Sequence, residues 1–336
     1  MNLTLFLGAG FSAAFGHPVM DTFLGFADSC KRLTDEDRSF LGRLVLEARR
    51  ANSFLESSPT NLEDILSFSQ MGERLGLIPS GEDRSLRLRE IVQRIYSTVP
   101  PVGDYWPRYE ALKKLIGVEP KEFKGTLSFV TTNYDLNIES ACVSLHVKAN
   151  PGFVLNRITG GNVMVATQCY DPAGIALYKL HGSINWYEAD EEPGLKVEDR
   201  VVLVGNPWDN VPRSLPFPCT GDYKAPAVPV IVPPSFLKPD LPKALRAVWN
   251  GAAQTLSRAN VVAFIGYSFP SSDTEMMFFL ARALSENAGL RAVYLVDPNA
   301  DSIAARLRES GGRIGSHFRG LLHPIRSGWT EVALPL

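Results

Sequence analysis

The chain has 336 residues, of which 45% are hydrophobic and 21% are charged, a composition typical of a folded globular protein rather than a disordered one. Its formal net charge of −2 excludes a generally basic surface, so we expect no direct nucleic-acid partner. No stretch approaches the roughly 20 apolar residues of a membrane span, and no basic residue precedes the apolar N-terminal run, so we expect a cytoplasmic protein without membrane association.

The first predicted element is a buried strand close to the N-terminus. Leu3–Leu7 is mostly apolar, as in a strand that is covered on both faces. It ends in a glycine turn that contains Gly8 and Gly10, and we predict that a helix starts at Ser12.

A helical pattern follows over about residues 21–117. Apolar residues recur at helical spacing in Leu41–Ala48 and again around Ile91. Thr60 and Glu63 form a capping-box pattern ahead of a further helix. This stretch is therefore predicted to be a helical insertion.

Strand character returns after the helical stretch. Leu127–Val130 and Ala176–Leu180 are apolar runs that end in polar residues, and a hairpin or loop is expected between them in Asn156–Tyr170. The proline-dense stretch Asn206–Pro242 excludes a long helix, and we expect it to lie on the surface.

The last part of the chain is typical of a βαβ unit. Helical Lys243–Ala259 precedes the apolar runs Val261–Ile265 and Ala292–Val296, and a helix near Asp273–Ser285 separates those two runs. The whole pattern predicts an α/β fold: a Rossmann-like doubly wound parallel sheet with a helical insertion after the first strand.

The predicted domain division follows from these elements. Residues 1–20 and 121–336 are predicted to form the Rossmann-like domain, and residues 21–120 are predicted to form the helical insertion. Ligands of such sheets bind outside the carboxyl ends of the strands, so residues that follow the predicted strands are the candidates for a site.

Polar motifs follow three of the predicted strands. The glycine turn Gly8–Ser12 lets a backbone approach a diphosphate at a helix N-terminus, although ordinary turns also use glycine. Asn133 and Asp135 are typical of an ordinary turn, but they could equally belong to a ligand-binding site. Histidine as a residue type can act as a general base near neutral pH, so His181 is a candidate, but a lone histidine also fits a structural role.

Two later strand ends carry similar residues. Gly266–Pro270 is followed by Asp273, with Ser271 or Ser272 as the expected helix N-cap. Asp297 could bind a ribose diol or could simply begin a turn.

Taken in this order, the motifs resemble those of the sirtuin family, and more closely its bacterial sirtuin-like NADase branch found in antiviral defence systems. The segments that carry the resemblance extend over nearly the whole chain: Gly8–Ser12, Thr131–Asp135, Leu180–Ser183, Val232–Ser235, and Gly266–Pro270 with Asp273.

The resemblance implies a role for each matching residue, with NAD as the substrate. Asn133 and His181 would be the catalytic residues. The residues that would contact NAD are Gly8, Ala9, Gly10, Phe11, Ser12, Asp135, Gly266, Ser268 and Asp297.

Two departures separate the chain from the protein-deacylating sirtuins. Those enzymes carry two cysteine pairs for a structural zinc, whereas Cys30, Cys142, Cys169 and Cys219 form no C-x-x-C pair, so we expect no metal. The loop Phe15–Asp21 also differs from the Gly-Ile-Pro-Asp-Phe-Arg-like loop of those enzymes. Both departures favour the NADase branch.

The resemblance therefore implies an NAD⁺ hydrolase that releases nicotinamide and ADP-ribose as a regulated, NAD-depleting effector of bacterial antiphage defence. Two alternatives stay open: an NAD-dependent protein deacylase, and a non-catalytic module that senses NAD or ADP-ribose. Because unrestrained hydrolysis of NAD would harm its host, the family leads us to expect a homo-oligomer and a separate activator. A HerA-type ATPase or helicase is the first expectation and a short Argonaute the second.

Overall fold

The computed structural model describes residues 1–54, 62–77, 84–98, 106–118, 122–144, 147, 149–152, 154–157, 163–167, 174–189, 202–204, 227–232, 243–270, 273–309 and 320–336. Its strands are β1 (Asn2–Leu7), β2 (Thr126–Thr131), β3 (Ala149–Asn150), β4 (Val154–Arg157), β5 (Val163–Thr167), β6 (Ile175–Lys179), β7 (Gly182–Ala189), β8 (Val202–Val204), β9 (Ala227–Ile231), β10 (Val261–Ile265), β11 (Ala292–Val296) and β12 (Leu322–Ile325). Its helices are α1 (Ala9–Ala13), α2 (Phe23–Ser29), α3 (Asp35–Phe54), α4 (Leu62–Arg74), α5 (Arg84–Tyr96), α6 (Trp106–Ile116), α7 (Asn137–Ser144), α8 (Lys243–Arg258), α9 (Thr274–Ser285) and α10 (Ala300–Glu309).

A parallel sheet forms the centre of the molecule. Within the described ranges it has seven strands, in the order β12–β11–β10–β1–β2–β6–β3. The chain passes from β1 to β2 on one side and returns through β10 on the other, so the strand order reverses at β1. This reversal is the topological switch point at which open α/β sheets bind ligands. The predicted Rossmann-like, doubly wound parallel sheet is confirmed.

Helices cover both faces of this sheet, which explains why its strands are apolar on both sides. Phe6 and Phe264 lie in the core beneath α8, α9 and α10. Leu5 and Ala263, one position along each strand, lie in the opposite core with α6 and α7. The helix α1 begins at Ala9 after the extended residue Gly8, so the predicted start at Ser12 is three residues late.

The helices α2–α5 form a third apolar cluster, which also contains Ile184 and Ile231. In contrast, Leu112 and Leu115 of α6 pack in the core of the central sheet. The division at residues 21–120 stays a prediction, and Thr60 of the predicted capping box lies outside the described residues.

A second, antiparallel sheet was not predicted. Its five strands in the described part of the chain follow the order β4–β5–β8–β7–β9. The pairing of β4 with β5 agrees with the hairpin expected in Asn156–Tyr170. The surface position expected for Asn206–Pro242 is wrong for Val230–Val232, which are buried. Pro229 is tolerated in β9 because this strand lies at the edge of its sheet.

None of the helices in the described ranges combines the length and the hydrophobicity that a membrane span requires. Cys30 and Cys142 are buried thiols, while Cys169 and Cys219 lie outside the described residues.

Asp37 holds the N-terminus of α3 and links it to α5. Its Oδ2 accepts a hydrogen bond from the Thr34 N–H at 3.0 Å, and its own N–H donates to Thr34 Oγ1 at 3.1 Å. Arg94 Nη1 lies 2.5 Å from the same Oδ2. Burial acts to raise the pKa of Asp37, but the Thr34 hydrogen bonds and the Arg94 guanidinium outweigh it, so the pKa is lowered below its usual value.

We expect Asp37→Asn to lower the free energy of unfolding by about 1–2 kcal/mol at pH 7. Because the folded-state pKa is the lower one, the ionised carboxylate stabilises the protein above the unfolded-state pKa of about 3.9. That contribution is lost as the pH falls through the folded-state pKa. Urea unfolding at pH 7 and at about pH 3 measures the difference.

The matched control is Glu110→Gln, which breaks a 2.9 Å ion pair of a more exposed carboxylate with Lys113. It should change stability by less than about 0.5 kcal/mol at either pH. A cost of Asp37→Asn that stays the same at both pH values would contradict the assigned role of the ionised carboxylate.

Candidate functional site

A cavity of about 330 Å³ lies at the carboxyl ends of the central strands, a volume in the range of small-molecule sites. Its walls come from the ends of β1, β2, β6 and β10, from α4 and α5, and from residues near the start of α2. The described lining residues are Ala9, Met20, Phe23, Leu62, Glu63, Tyr96, Thr132, Asn133, Tyr134, His181, Gly266, Tyr267, Ser268, Pro270 and Asp273.

Five residues singled out from the sequence meet in this lining, although they are far apart in the chain. They are Ala9, Asn133, His181, Gly266 and Ser268. The other candidates are outside the lining: Gly8, Gly10, Phe11, Ser12, Asp135 and Asp297.

The turns after β1 and β10 cross in direct backbone contact. The N–H groups of Gly8 and Gly10 donate to the carbonyls of Ile265 and Gly266, each at 2.9 Å. A Cβ on Gly8 would lie 2.4 Å from Gly266 O, and one on Gly266 would lie 2.5 Å from Phe11 N. Glycine is therefore needed for the close approach, and the N–H groups of Gly8 and Gly10 are engaged within the protein.

Phe11, Ser12 and Asp135 lie outside the cavity lining and make their contacts within the protein. Phe11 stacks on Trp329 with ring centroids 4.5 Å apart, in the core on one face of the sheet. The buried Ser12 hydroxyl donates to Asp135 Oδ2 at 2.5 Å, and Asp135 Oδ1 accepts from the N–H of Asn137 at 3.0 Å. Asp135 thus ties α1 to the first turn of α7.

The side-chain amide of Asn133 is held in one orientation. Its Nδ2 donates to Gly8 O at 2.8 Å, and its backbone N–H donates to Thr131 Oγ1 at 3.0 Å. No hydrogen bond to Asn133 Oδ1 forms within the described part of the chain. The amide oxygen is therefore the atom of this side chain that can accept a hydrogen bond from a ligand.

His181 lies in the tight turn between β6 and β7 and is only 5% exposed. Gly182 has a φ of 83°, and a Cβ there would lie 1.9 Å from Val230 O. The His181 carbonyl accepts from the N–H of Val232 at 2.9 Å. These backbone restraints hold the imidazole at the cavity, with its ring centroid 6.4 Å from that of Tyr134.

Two tyrosines that sequence reasoning did not assign to the site form an aromatic wall with Phe23. The Tyr134 hydroxyl donates to Val232 O at 2.7 Å, and the Tyr96 hydroxyl donates to Pro18 O at 3.1 Å. Burial raises the pKa of both phenols, so they stay neutral. The signal for Tyr134 was its position between Asn133 and Asp135, whereas Tyr96 follows a helical apolar pattern that is indistinguishable from core.

Two acidic residues lie in the wall of the cavity. Glu63 and Asp273 line it, and neither lysine nor arginine is among its described lining residues. The Tyr267 hydroxyl donates to Asp273 Oδ2 at 3.5 Å, and burial together with this carboxylate raises the pKa of Tyr267. The described residues contain no group of three or more side chains suited to hold a metal ion.

The loop after β10 is held from outside by α10. The Arg306 guanidinium donates to the carbonyls of Ser268 and Phe269, and Phe269 is buried with a φ of 52°. At the next strand end, Asp297 Oδ1 accepts from the N–H of Asn299 at 2.8 Å, as in a simple turn. The N-cap expected at Ser271 or Ser272 is wrong, because α9 begins at Thr274 and its N-cap is Asp273.

The family model described as SIR2-like domain matches residues 127–313, a segment that contains Asn133, His181, Gly266, Ser268 and Asp297. No curated protein matches the chain.

The chain is also similar to solved structures of Sir2 proteins. One is a Sir2 homologue–NAD complex, with 15% identity, 98% of this chain and 85% of that chain covered, and a TM-score of 0.40. A second is a Sir2 homologue mutant with ADP-ribose, with 15% identity, 98% and 87% coverage, and a TM-score of 0.43. A third is Sir2 bound to acetylated peptide, with 13% identity, 98% and 89% coverage, and a TM-score of 0.37.

Proposed function

Because the chain belongs to the SIR2-like domain family, whose model matches more than half of it, we propose that it is an NAD⁺ hydrolase. It would cleave the bond between nicotinamide and ribose and release nicotinamide and ADP-ribose. The observation that carries this proposal is the meeting of Asn133 and His181, from two different strand ends, in one cavity.

The lining of the cavity suits the cationic end of NAD⁺. An aromatic wall can hold a pyridinium ring and attract its charge. The carboxylates of Glu63 and Asp273 line the same cavity and favour a cation further. The same features would stabilise the oxocarbenium-like positive charge that develops on the ribose as the bond breaks.

The remainder of NAD⁺ would extend past the crossing of the β1 and β10 turns. Since the N–H groups of Gly8 and Gly10 are engaged within the protein, a diphosphate would be contacted through Ala9 and Ser268, which line the cavity. Asp297, at the end of the neighbouring strand β11, is the proposed partner of the adenosine ribose.

The departure of nicotinamide requires no general acid from the protein. When the C1′–N1 bond breaks, its electron pair neutralises the pyridinium, so nicotinamide leaves without protonation. Water then adds to C1′ of the ribose and gives up a proton. Asn133 Oδ1 would orient the water or a ribose hydroxyl, and His181 would accept the proton as general base.

We further propose that the activity is regulated and serves bacterial antiphage defence. A homo-oligomer and a separate activator are the proposed restraints, with a HerA-type ATPase as first choice of partner and a short Argonaute as second. The resemblance to the defence-associated sirtuin-like NADases supports this, together with the harm that unrestrained NAD depletion would do in the cytoplasm.

The test is to incubate the purified full chain, alone and with each proposed partner, with NAD⁺ and to follow nicotinamide by chromatography. We expect nicotinamide and ADP-ribose in equal amounts, without any acyl-lysine peptide. Release that requires an acyl-lysine peptide would replace the proposal with a deacylase. Thermal stabilisation by NAD⁺ without any product would replace it with a sensor.

A further inference from the structure

Lys179 is a lysine inside the protein, at the last position of β6. Its side chain is 1% exposed. The ammonium donates to Tyr134 O at 3.2 Å, to Asp135 O, to Glu139 Oε1 at 2.9 Å and to Ser183 Oγ at 2.7 Å. All three protons of the ammonium group therefore have acceptors within the protein.

The four acceptors belong to three separate segments around the candidate site. Two are carbonyls of the loop after β2, one is on α7 and one is on β7. Asn133 directly precedes the first of these carbonyls, and His181 lies two residues beyond Lys179. One ammonium group thus joins the segments that present the two proposed catalytic side chains.

The carbonyl oxygen of Tyr134 also accepts hydrogen bonds from β7. Tyr134 O also accepts from the N–H of Ile184 at 3.0 Å and from Ser183 Oγ at 3.3 Å. The Ser183 hydroxyl in turn lies 2.7 Å from Asn185 Oδ1. The position of Tyr134 relative to β7 therefore depends on a connected polar network that is centred on the ammonium group.

Such a buried charge is a weak source of stability. Removing an ammonium and a carboxylate from water costs several kcal/mol, and apolar residues of similar volume often replace a buried pair without loss. Burial raises the pKa of Glu139, and the neighbouring Lys179 opposes that shift. A buried polar network of this kind instead specifies one geometry, because each partner must keep its position to stay satisfied.

We propose that Lys179 is a positioning residue, whose ammonium group sets the position of Asn133 relative to His181 in the cavity. This inference rests on the proposed function, since it assigns Lys179 a part in that reaction. The charge of Lys179 serves the geometry of the site, with Glu139 as its counter-ion.

The test compares the neutral double variant Lys179→Met/Glu139→Gln with Glu139→Gln, which retains the ammonium group and its other three acceptors. For the double variant we expect kcat to fall about 10²-fold, as for a shift of about 1 Å in a catalytic group, with KM for NAD⁺ within about threefold. Glu139→Gln should retain kcat within about fivefold. Hydrogen exchange should rise in Thr132–Leu136 and His181–Ile184 in the double variant only.

The control Asp37→Asn/Arg94→Met removes an ion pair between α3 and α5, neither member of which lines the cavity. It should lower thermal stability and leave kcat and the exchange of the two segments unchanged. An equal fall of kcat in this control would show that general destabilisation, and not positioning, is responsible. Full kcat and unchanged exchange in the folded double variant would overturn the inference directly.

Two further measurements keep the test decisive. Should the double variant not fold, Ser183→Ala removes one acceptor of the ammonium by a smaller change, and unaltered exchange in both segments would then overturn the inference. If the wild-type chain releases no nicotinamide with any partner, the proposed function has failed. The hydrogen-exchange comparison still decides whether Lys179 positions these segments.

Discussion

Replacing His181 with alanine is expected to lower kcat for nicotinamide release by about 10²–10⁴-fold, the usual contribution of a general base. The imidazole is held at the cavity by the turn between β6 and β7, so its loss removes the proposed proton acceptor at that position. The measurement is the rate of nicotinamide release from NAD⁺ at saturating concentration, with circular dichroism to show that the variant is folded.

The matched control is His323→Ala, a histidine on β12 that lies outside the cavity lining and contacts Tyr294. It should leave kcat within about twofold. Asn133→Ala should lower kcat as well, because the amide oxygen proposed to orient water is lost. Full activity in both His181→Ala and Asn133→Ala would reject the proposed catalytic pair.

The substitution Gly182→Ala is expected to lower the free energy of unfolding by at least about 3 kcal/mol. The backbone there has a φ of 83°, and the added Cβ would lie 1.9 Å from Val230 O of β9. β7 and β9 cannot easily move apart to relieve this contact, because the His181 carbonyl accepts a hydrogen bond from the N–H of Val232 directly beyond β9. Urea unfolding at neutral pH measures the change.

A glycine without such constraints provides the comparison for this effect. Gly42 lies within α3, and a Cβ there would meet nothing within 4 Å. Gly42→Ala should therefore raise stability by about 0.5–1 kcal/mol, through the better helix propensity of alanine. A loss of less than about 1 kcal/mol in Gly182→Ala would show that the turn between β6 and β7 can relax.

The central sheet could be predicted because its strands give a strong pattern. β1, β2, β6, β10 and β11 are apolar runs that end in glycine or polar residues, as strands covered on both faces do. β12 was missed, since its four residues include His323 and Pro324. The second sheet was missed because β8 has only three residues and β9 contains Pro229.

The candidate site could be predicted only in part, because strand ends have a distinctive sequence pattern and the helical wall of the cavity does not. Polar residues after apolar strands are conspicuous, and Asn133, His181 and Ser268 do line one cavity. The opposite wall comes from helices, where Tyr96 occupies an apolar position like any core residue. The lysine within the apolar run Ile175–Leu180 was the available sign of a buried charge, but a lone lysine in a strand more often points to solvent.

The position of β1 at the centre of the sheet has a consequence for how the protein is made. β1 pairs with β10, whose residues follow it by more than 250 positions, so the contacts that close the sheet are among the most distant in sequence. Contacts of this kind form late and slow folding. During synthesis, the crossing of the β1 and β10 turns cannot form until β10 has left the ribosome. The cavity, whose lining extends from Ala9 to Asp273, is therefore absent from shorter nascent chains.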